Sequence, residues 1–264
     1  MQLVRYILIY QIQREKMSKN VALLVAEAPW FSFKTNHDQA SCIPFFEGVK
    51  KLVNDSTDKP QLNIYNCNYY DNKSLEKALE HLVDTREDIQ ILYIGGHGDG
   101  KRIADATINK TTELIREHGK KIKGLIVSSC MAGLTDKLAM ASEGAFSSSD
   151  RSISWVNGPN WIISYKYAVD WFPSALVETS IVRAFTEHYH QEGRLNSKAD
   201  ILGCLNHALA PFDLHQEFAS DKSDSRKSLG DTIRIWIRAQ GASQPTDVTE
   251  DLLAQLGYLE FEAE

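Results

Sequence analysis

Ile89-Gln90-Ile91-Leu92-Tyr93-Ile94-Gly95-Gly96-His97-Gly98-Asp99-Gly100 is an apolar run that stops abruptly in glycine. Its first six residues are mostly branched or aromatic and too few for an ordinary helix, so they predict a buried strand. The glycines that follow permit positive φ angles and close approach of main chain to a ligand, which marks a loop at the strand's carboxyl end. Downstream, Ile122 to Val127, interrupted only by Lys123 and Gly124, repeats the pattern and ends in Ser128-Ser129-Cys130-Met131-Ala132-Gly133. Between the two, Thr111 to His118 has helical spacing with Leu114 and Ile115 inward. Strand, helix and strand in that order make a parallel pair joined by a crossover.

The same alternation extends in both directions. Val21 to Val25 is a continuous apolar strand, Ile43 to Leu52 a helix with Phe46, Val49 and Leu52 on one face, and Leu62 to Tyr65 a short strand. Asn72 or Ser74 is expected to cap a helix through Leu82, with Leu75, Leu79 and Leu82 inward and Glu76 in its first turn. Ile153 to Val156, Trp161 to Val169 and Thr232 to Ile237 read as strands, and Ala175 to Tyr189 as an amphipathic helix. Ser142 to Ser152 and Ala219 to Ser228, rich in Ser, Asp and small residues, read as mobile surface loops. The expected fold is α/β, a mostly parallel sheet covered by helices on both faces, with ligands bound beyond the carboxyl ends of its strands.

Composition narrows the function. The 264 residues are 43% hydrophobic and 24% charged with a formal charge of −6, which fits a globular chain with a sizeable core. No Pro-rich or Gly/Ser-rich linker divides it, so residues 17–264 read as one domain and residues 1–16 as an N-terminal extension, Met17 being an alternative start. The apolar patch Ile7 to Tyr10 is too short for an export signal or a membrane span. Dispersed basic residues weigh against a nucleic-acid partner. Cys42, Cys67, Cys130 and Cys204 lie far apart without a C-x-x-C pair, which points to a reduced, cytoplasmic setting rather than a zinc or redox site. No metal or cofactor is expected. His188 and His190 sit on a polar helix end and read as solvated.

The two strand ends carry the chemistry. A cysteine attacks as thiolate, and a histidine held beside it can stabilise that anion and hand its proton to a leaving group. Cys130 and His97 each follow a buried strand, and their separation of 130 minus 97, or 33 residues, accommodates one helical crossover. The N–H groups of Gly98 and Cys130 are candidate donors to an oxyanion. Singly, such a cysteine would be a small buried hydrophobe and such a histidine a solvated one; it is the pairing that favours catalysis.

The blocks Ile91 to Gly98 and Leu125 to Gly133 resemble those of the caspase-like cysteine peptidases, the group of caspases, metacaspases, legumains, gingipains and separases. The resemblance in order and context runs from about Val21 to near Tyr189. It implies a three-layer sandwich and a cysteine endopeptidase that cleaves polypeptides through a thioester, with His97 and Cys130 as the dyad and Gly98 and Cys130 lining the oxyanion hole. Ser128 stands where metacaspases and legumains have an acidic residue and caspases a glutamine. By the same resemblance Asp170 is a candidate for the missing charge and Trp155 for a pocket wall, although Asp170 also reads as the cap of the helix following Pro173, and Trp155 as core. The resemblance further implies a regulated intracellular protease of the bacterial stress or defence type, with room for an activating partner or ligand. Its candidate processing sites are the Ser142 to Ser152 loop, with Arg151, and the Ala219 to Ser228 loop, with Lys222, Arg226 and Lys227. A catalytically silent relative kept as an interaction module is the alternative. An esterase of the α/β-hydrolase type lacks its G-x-S-x-G elbow here, and nucleotide binding lacks its G-x-G-x-x-G spacing.

Overall fold

The computed structural model describes residues 19–29, 41–55, 60–143 and 158–259. Trp155, the strand expected over Ile153 to Val156, the extension 1–16 and most of the Ser142 to Ser152 loop lie outside the described residues. A seven-stranded sheet forms the middle layer. It is built from β1 (Val21–Glu27), β2 (Leu62–Asn68), β3 (Ile89–Gly95), β6 (Ile122–Ser128), β7 (Trp161–Tyr165), β11 (Ile233–Ile237) and β12 (Thr246–Asp247), in the order β12-β11-β7-β6-β3-β1-β2. From β2 across to β7 neighbouring strands are parallel; β11 runs antiparallel to β7, and β12 antiparallel to β11.

Alternation along the strands assigns the two faces. Leu23, Val25, Ile91, Tyr93, Ile126, Ile163 and Tyr165 face helices α1 (Ile43–Asn54), α4 (Trp171–Glu192), α5 (Lys198–Leu209) and α6 (Thr249–Gln255). Leu24, Leu92, Ile94, Leu125 and Val127 face α2 (Asn72–Leu82) and α3 (Ile108–His118). The result is the expected three-layer α/β sandwich. Its central strands are apolar on both faces because both are covered, each fully buried Leu or Ile contributing roughly 1.5–3 kcal/mol. The lysine–glycine interruption in β6 has a packing reason. Gly124 lies in register with Trp161, and a Cβ on Gly124 would come within 2.0 Å of that indole, which stacks on Phe185 at 4.0 Å.

Local chemistry adjusts several expectations. In α1 Val53, not Leu52, completes the buried face, and Leu52 is 69% exposed. Its N-terminus is capped from another element: Glu27 at the end of β1 accepts from the Cys42 N–H at 3.0 Å and from Ser41 Oγ. The cap of α2 is Asp71 rather than Asn72 or Ser74, with Ser74 as the returning partner of a capping box. The expected strand Trp161 to Val169 breaks at Lys166–Tyr167 into β7 and β8 (Ala168–Val169), and β8 leaves the main sheet to pair with β9 (Glu217–Ser220). The Ala219 to Ser228 loop is instead the hairpin of β9 and β10 (Arg226–Ser228). Buried Phe218 and Ala219 anchor it, and Asp221 Oδ1 closes its turn by accepting from the N–H groups of Ser223 and Ser225. Among the described residues no helix is long and apolar enough to cross a membrane.

Candidate functional site

β3 and β6 are neighbours, and Gly95 pairs with Ser128 at their carboxyl ends. The Gly96 N–H continues the contact, donating to the Ser128 carbonyl at 3.2 Å. His97 and Cys130 each stand two residues beyond that register pair, 97 minus 95 and 130 minus 128. The adjacent parallel strands therefore deliver both residues to the same edge of the sheet, where loops leave it and ligands are received.

The segment after His97 is folded rather than slack. β4 (Arg102–Ile103) and β5 (Ala106–Thr107) form a small hairpin, Gly98 bridges Ile103, and the His97 carbonyl accepts from the Ala104 N–H at 2.6 Å. Asp99 Oδ1 accepts from the N–H groups of Lys101 and Arg102, both at 2.8 Å. Only Gly100 of this loop's glycines takes a left-handed φ, at 81°. Gly98 is needed for space. A Cβ there would lie 2.1 Å from Ser129 Oγ and 2.5 Å from the Cys130 carbonyl oxygen, so the main chain of Gly98 rests directly against the block that carries the cysteine. His97 itself is exposed.

Beyond Cys130 the chain turns sharply. Met131 is left-handed at φ 60° and leads into a 3-10 turn over Ala132–Leu134, while its N–H donates to the Tyr167 carbonyl at 3.2 Å. Ala104, whose N–H holds His97, is also left-handed, at φ 50°. A non-glycine residue in this region costs roughly 1–2 kcal/mol, and such strain gathers where surrounding structure holds a loop for a purpose. The Cys130 thiol is half-buried, and burial is the main reason its pKa lies above the ordinary value; hydrogen bonding from main chain at Val169 and at Cys130 itself pulls it down, and the Asp170 carboxylate raises it. At neutral pH this resting cysteine is a thiol.

The remaining expected residues separate. Asp170 occupies the N-cap position of α4 but its side chain makes no capping bond; it is exposed, with Oδ2 3.5 Å from Arg226 Nη1. The helix starts at Trp171, ahead of Pro173, because proline is tolerated in a first turn where its absent N–H is not needed. Ser128 is fully buried, and its hydroxyl lies near enough to the Glu178 carboxyl to lower the pKa of that group.

Two features near the site escaped the sequence reading. One is the left-handed Met131, for which no residue-type signal exists. The other is Glu178, fully buried in α4 behind the ends of β3, β6 and β7, with Oε1 accepting from Tyr165 Oη at 3.0 Å. A carboxylate on the apolar stripe of a helix, spaced with Ile181, Val182 and Phe185, was its available signal. A cleft of about 620 Å³ lies elsewhere, lined by Lys166, Arg234, Asp247 and Glu250 among others, and includes neither His97 nor Cys130. Arg234 joins it to the cysteine block, donating through Nη1 to the Gly133 carbonyl at 2.9 Å and through Nε to Asp247 at 2.8 Å. On α2 and α3, Glu76, Glu117 and His118 bring possible metal-ligand atoms within 4.8 Å of one another, apart from the residues of the site.

No protein-family model matches the chain, and no curated protein matches it. Among solved structures it is similar to that of the Arg-specific cysteine proteinase gingipain R, with 14% identity and a TM-score of 0.44 over 90% of this chain and 52% of that one. The chain thus spans about half the length of that structure. It is also similar to caspase-1 from Spodoptera frugiperda, with 12% identity and a TM-score of 0.44 over 84% of this chain and 90% of that one.

Proposed function

We propose that this protein is a cysteine endopeptidase in which Cys130 is the nucleophile and His97 its acid–base partner. The observation that carries the reading is the placement of both residues two positions past the Gly95–Ser128 register pair, on adjacent parallel strands and at the ligand-receiving edge. In the reaction the Cys130 thiol gives its proton to His97 and its sulfur bonds to the substrate carbonyl carbon. The N–H groups of Gly98 and Cys130 donate to the resulting oxyanion. As the tetrahedral intermediate collapses, the C–N bond breaks and the imidazolium protonates the departing amine. Water then adds to the thioester with His97 as base, and the acid product and free thiol are regenerated. The contact of Gly98 with Ser129 and Cys130 supports this assignment, because it brings the main chain of the two loops together where two converging N–H donors are required.

The resting thiol fits a restrained enzyme. With its pKa raised by burial, Cys130 acquires its nucleophilic form chiefly when substrate and His97 are in place, which limits stray reaction in the absence of substrate. We extend the reading to a regulated intracellular protease with polypeptide substrates. Its test is peptidase activity on an unbiased peptide library with wild type, Cys130→Ala, His97→Ala and the double variant. Each single change is expected to abolish cleavage, and the double change to lose little more, since a dyad acts as a unit. Undiminished cleavage by Cys130→Ala would overturn the assignment.

A further inference from the structure

Arg234 is a charged residue on an apolar strand. β11 reads Ile233-Arg234-Ile235-Trp236-Ile237; the three isoleucines enter the core on one face of the sheet, and Trp236 enters the core on the other, the face that Arg234 shares by alternation. The arginine side chain is only 18% exposed, and its guanidinium lies 4.7 Å over the Trp236 ring. Its nitrogens donate to separate segments: Nη1 to the Gly133 carbonyl at 2.9 Å, Nη2 to Asp136 Oδ1 at 2.6 Å and Nε to Asp247 Oδ2 at 2.8 Å. Trp236 Nε1 donates to the same Asp136 oxygen at 3.4 Å. An apolar side chain at 234 would pack on Trp236 without taking a charge out of water. What it would not do is lock these segments into one geometry, as a planar fork of donors does.

The segment it grips is the one that carries the cysteine. Gly133 closes the block that begins at Ser128, and Asp136 opens the next 3-10 turn, so the two bonds bracket Leu134 and Thr135. Met131, next to Cys130, is left-handed without being glycine, so this turn is not favoured by its own sequence and has to be held from outside. On one side the Tyr167 carbonyl accepts from the Met131 N–H at 3.2 Å, and Gly133 rests so closely on the end of β7 that a Cβ would come 3.0 Å from the Tyr165 main chain. On the other side Arg234 takes the Gly133 carbonyl from β11. The peptide planes of this turn set where the Cys130 N–H points and where its sulfur stands. A donor to an oxyanion is effective only when aimed before the charge develops, and the grip of Arg234 on the turn meets that requirement.

Resting on the peptidase reading, we propose that Arg234 is a positioning residue: through Gly133 it fixes the turn that aims the Cys130 N–H and thiol, without itself touching substrate. The test compares Arg234→Met, Arg234→Lys and Arg234→Ala with Arg238→Met. Arg238 is the matched control, a buried arginine just past the other end of β11 that donates to Ser142 Oγ and the Gly158 carbonyl, away from the cysteine turn. On a peptide that the wild type cleaves, and well below every melting temperature, Arg234→Met should lower kcat at least about tenfold with KM within about twofold, since the misaimed donor acts in the transition state. Arg234→Lys should recover only part of the loss, because an ammonium cannot serve Gly133 and both carboxylates at once. Methylguanidine below denaturing concentration should partly restore kcat in Arg234→Ala and leave the wild type unchanged. Amide hydrogen exchange reads the turn without turnover: the Met131 and Leu134 N–H groups should exchange at least about tenfold faster in Arg234→Met and as in wild type in Arg238→Met. Unchanged kcat and exchange in Arg234→Met, or equal changes in Arg238→Met, would overturn the inference. If Arg234→Met does not fold, Arg234→Lys decides by the same two readouts. A turn that loosens in a protein without peptidase activity would fault the peptidase reading alone, and an active protein indifferent to Arg234 would fault the positioning role alone.

Discussion

Replacing Gly98 with alanine puts one methyl group where the structure has none to spare. The added Cβ would stand 2.1 Å from Ser129 Oγ and 2.5 Å from the Cys130 carbonyl oxygen, where an ordinary contact is 3.4 Å or more. The Ser129 hydroxyl can rotate away, but the carbonyl is main chain and must move by about 1 Å, taking the cysteine with it. Overpacking of this kind costs about 1–3 kcal/mol, which in a chain of this size lowers the melting temperature by roughly 2–4 °C per kcal/mol. Gly48→Ala and Gly203→Ala are the matched controls: each lies in a helix, where an added Cβ meets nothing within 4 Å. Both should be neutral or stabilise by about 0.4–1 kcal/mol. Thermal unfolding followed by circular dichroism reads the stability, and the rate of Cys130 alkylation by iodoacetamide reads the local geometry without requiring turnover. A Gly98→Ala protein as stable as the controls, with unchanged alkylation, would refute the claim that the two loops touch there.

Three further outcomes follow from particular contacts. Asp170→Asn removes a carboxylate that raises the Cys130 pKa, so the pH profile of alkylation should move to lower pH, more so at low salt since Asp170 is exposed; an unmoved profile would count against that proximity. Gly124→Ala drives a methyl into the Trp161 indole and should lower stability by about 1–3 kcal/mol in urea titrations, whereas an unchanged midpoint would mean that the ring can slide. Glu178 keeps its proton in the folded state up to about 8 but loses it near 4.5 when unfolded, so wild-type stability should fall as pH rises between those values and level off above them. Glu178→Gln should flatten that decline, and equal slopes for the two proteins would contradict the burial argument.

The sheet was legible where burial dominates composition. β1, β3 and β6 are apolar because both faces are covered, and their runs announce them directly. β2 extends three residues past the expected Tyr65 because an edge strand, half-exposed, admits Asn66, Cys67 and Asn68 without losing its ladder to β1. The β9–β10 hairpin looked like a loop since its turn is built from Ser and Asp, the same residues that fill irregular segments; its two anchors, Phe218 and Ala219, are too few to register as a period. The antiparallel direction of β11 leaves no mark in its five residues. The placement of His97 and Cys130 just beyond the ends of neighbouring strands was legible from the apolar runs that precede them. The contact of Gly98 with the cysteine block, the left-handed turn at Met131 and the cluster around Glu178 depend on tertiary packing, although the misplaced charge on the α4 stripe was visible.

In the proposed mechanism Cys130 is the nucleophile and His97 activates it. Labelling with a library of peptide acyloxymethyl ketones, followed by peptide mapping of the adduct, tests it most directly because it identifies the reacting atom. A single adduct is expected on Cys130, with none on the buried Cys42 and Cys204 or the half-buried Cys67, and with labelling at least about tenfold slower in His97→Ala. An adduct on another cysteine, or a His97→Ala protein that labels as fast as wild type, would contradict it.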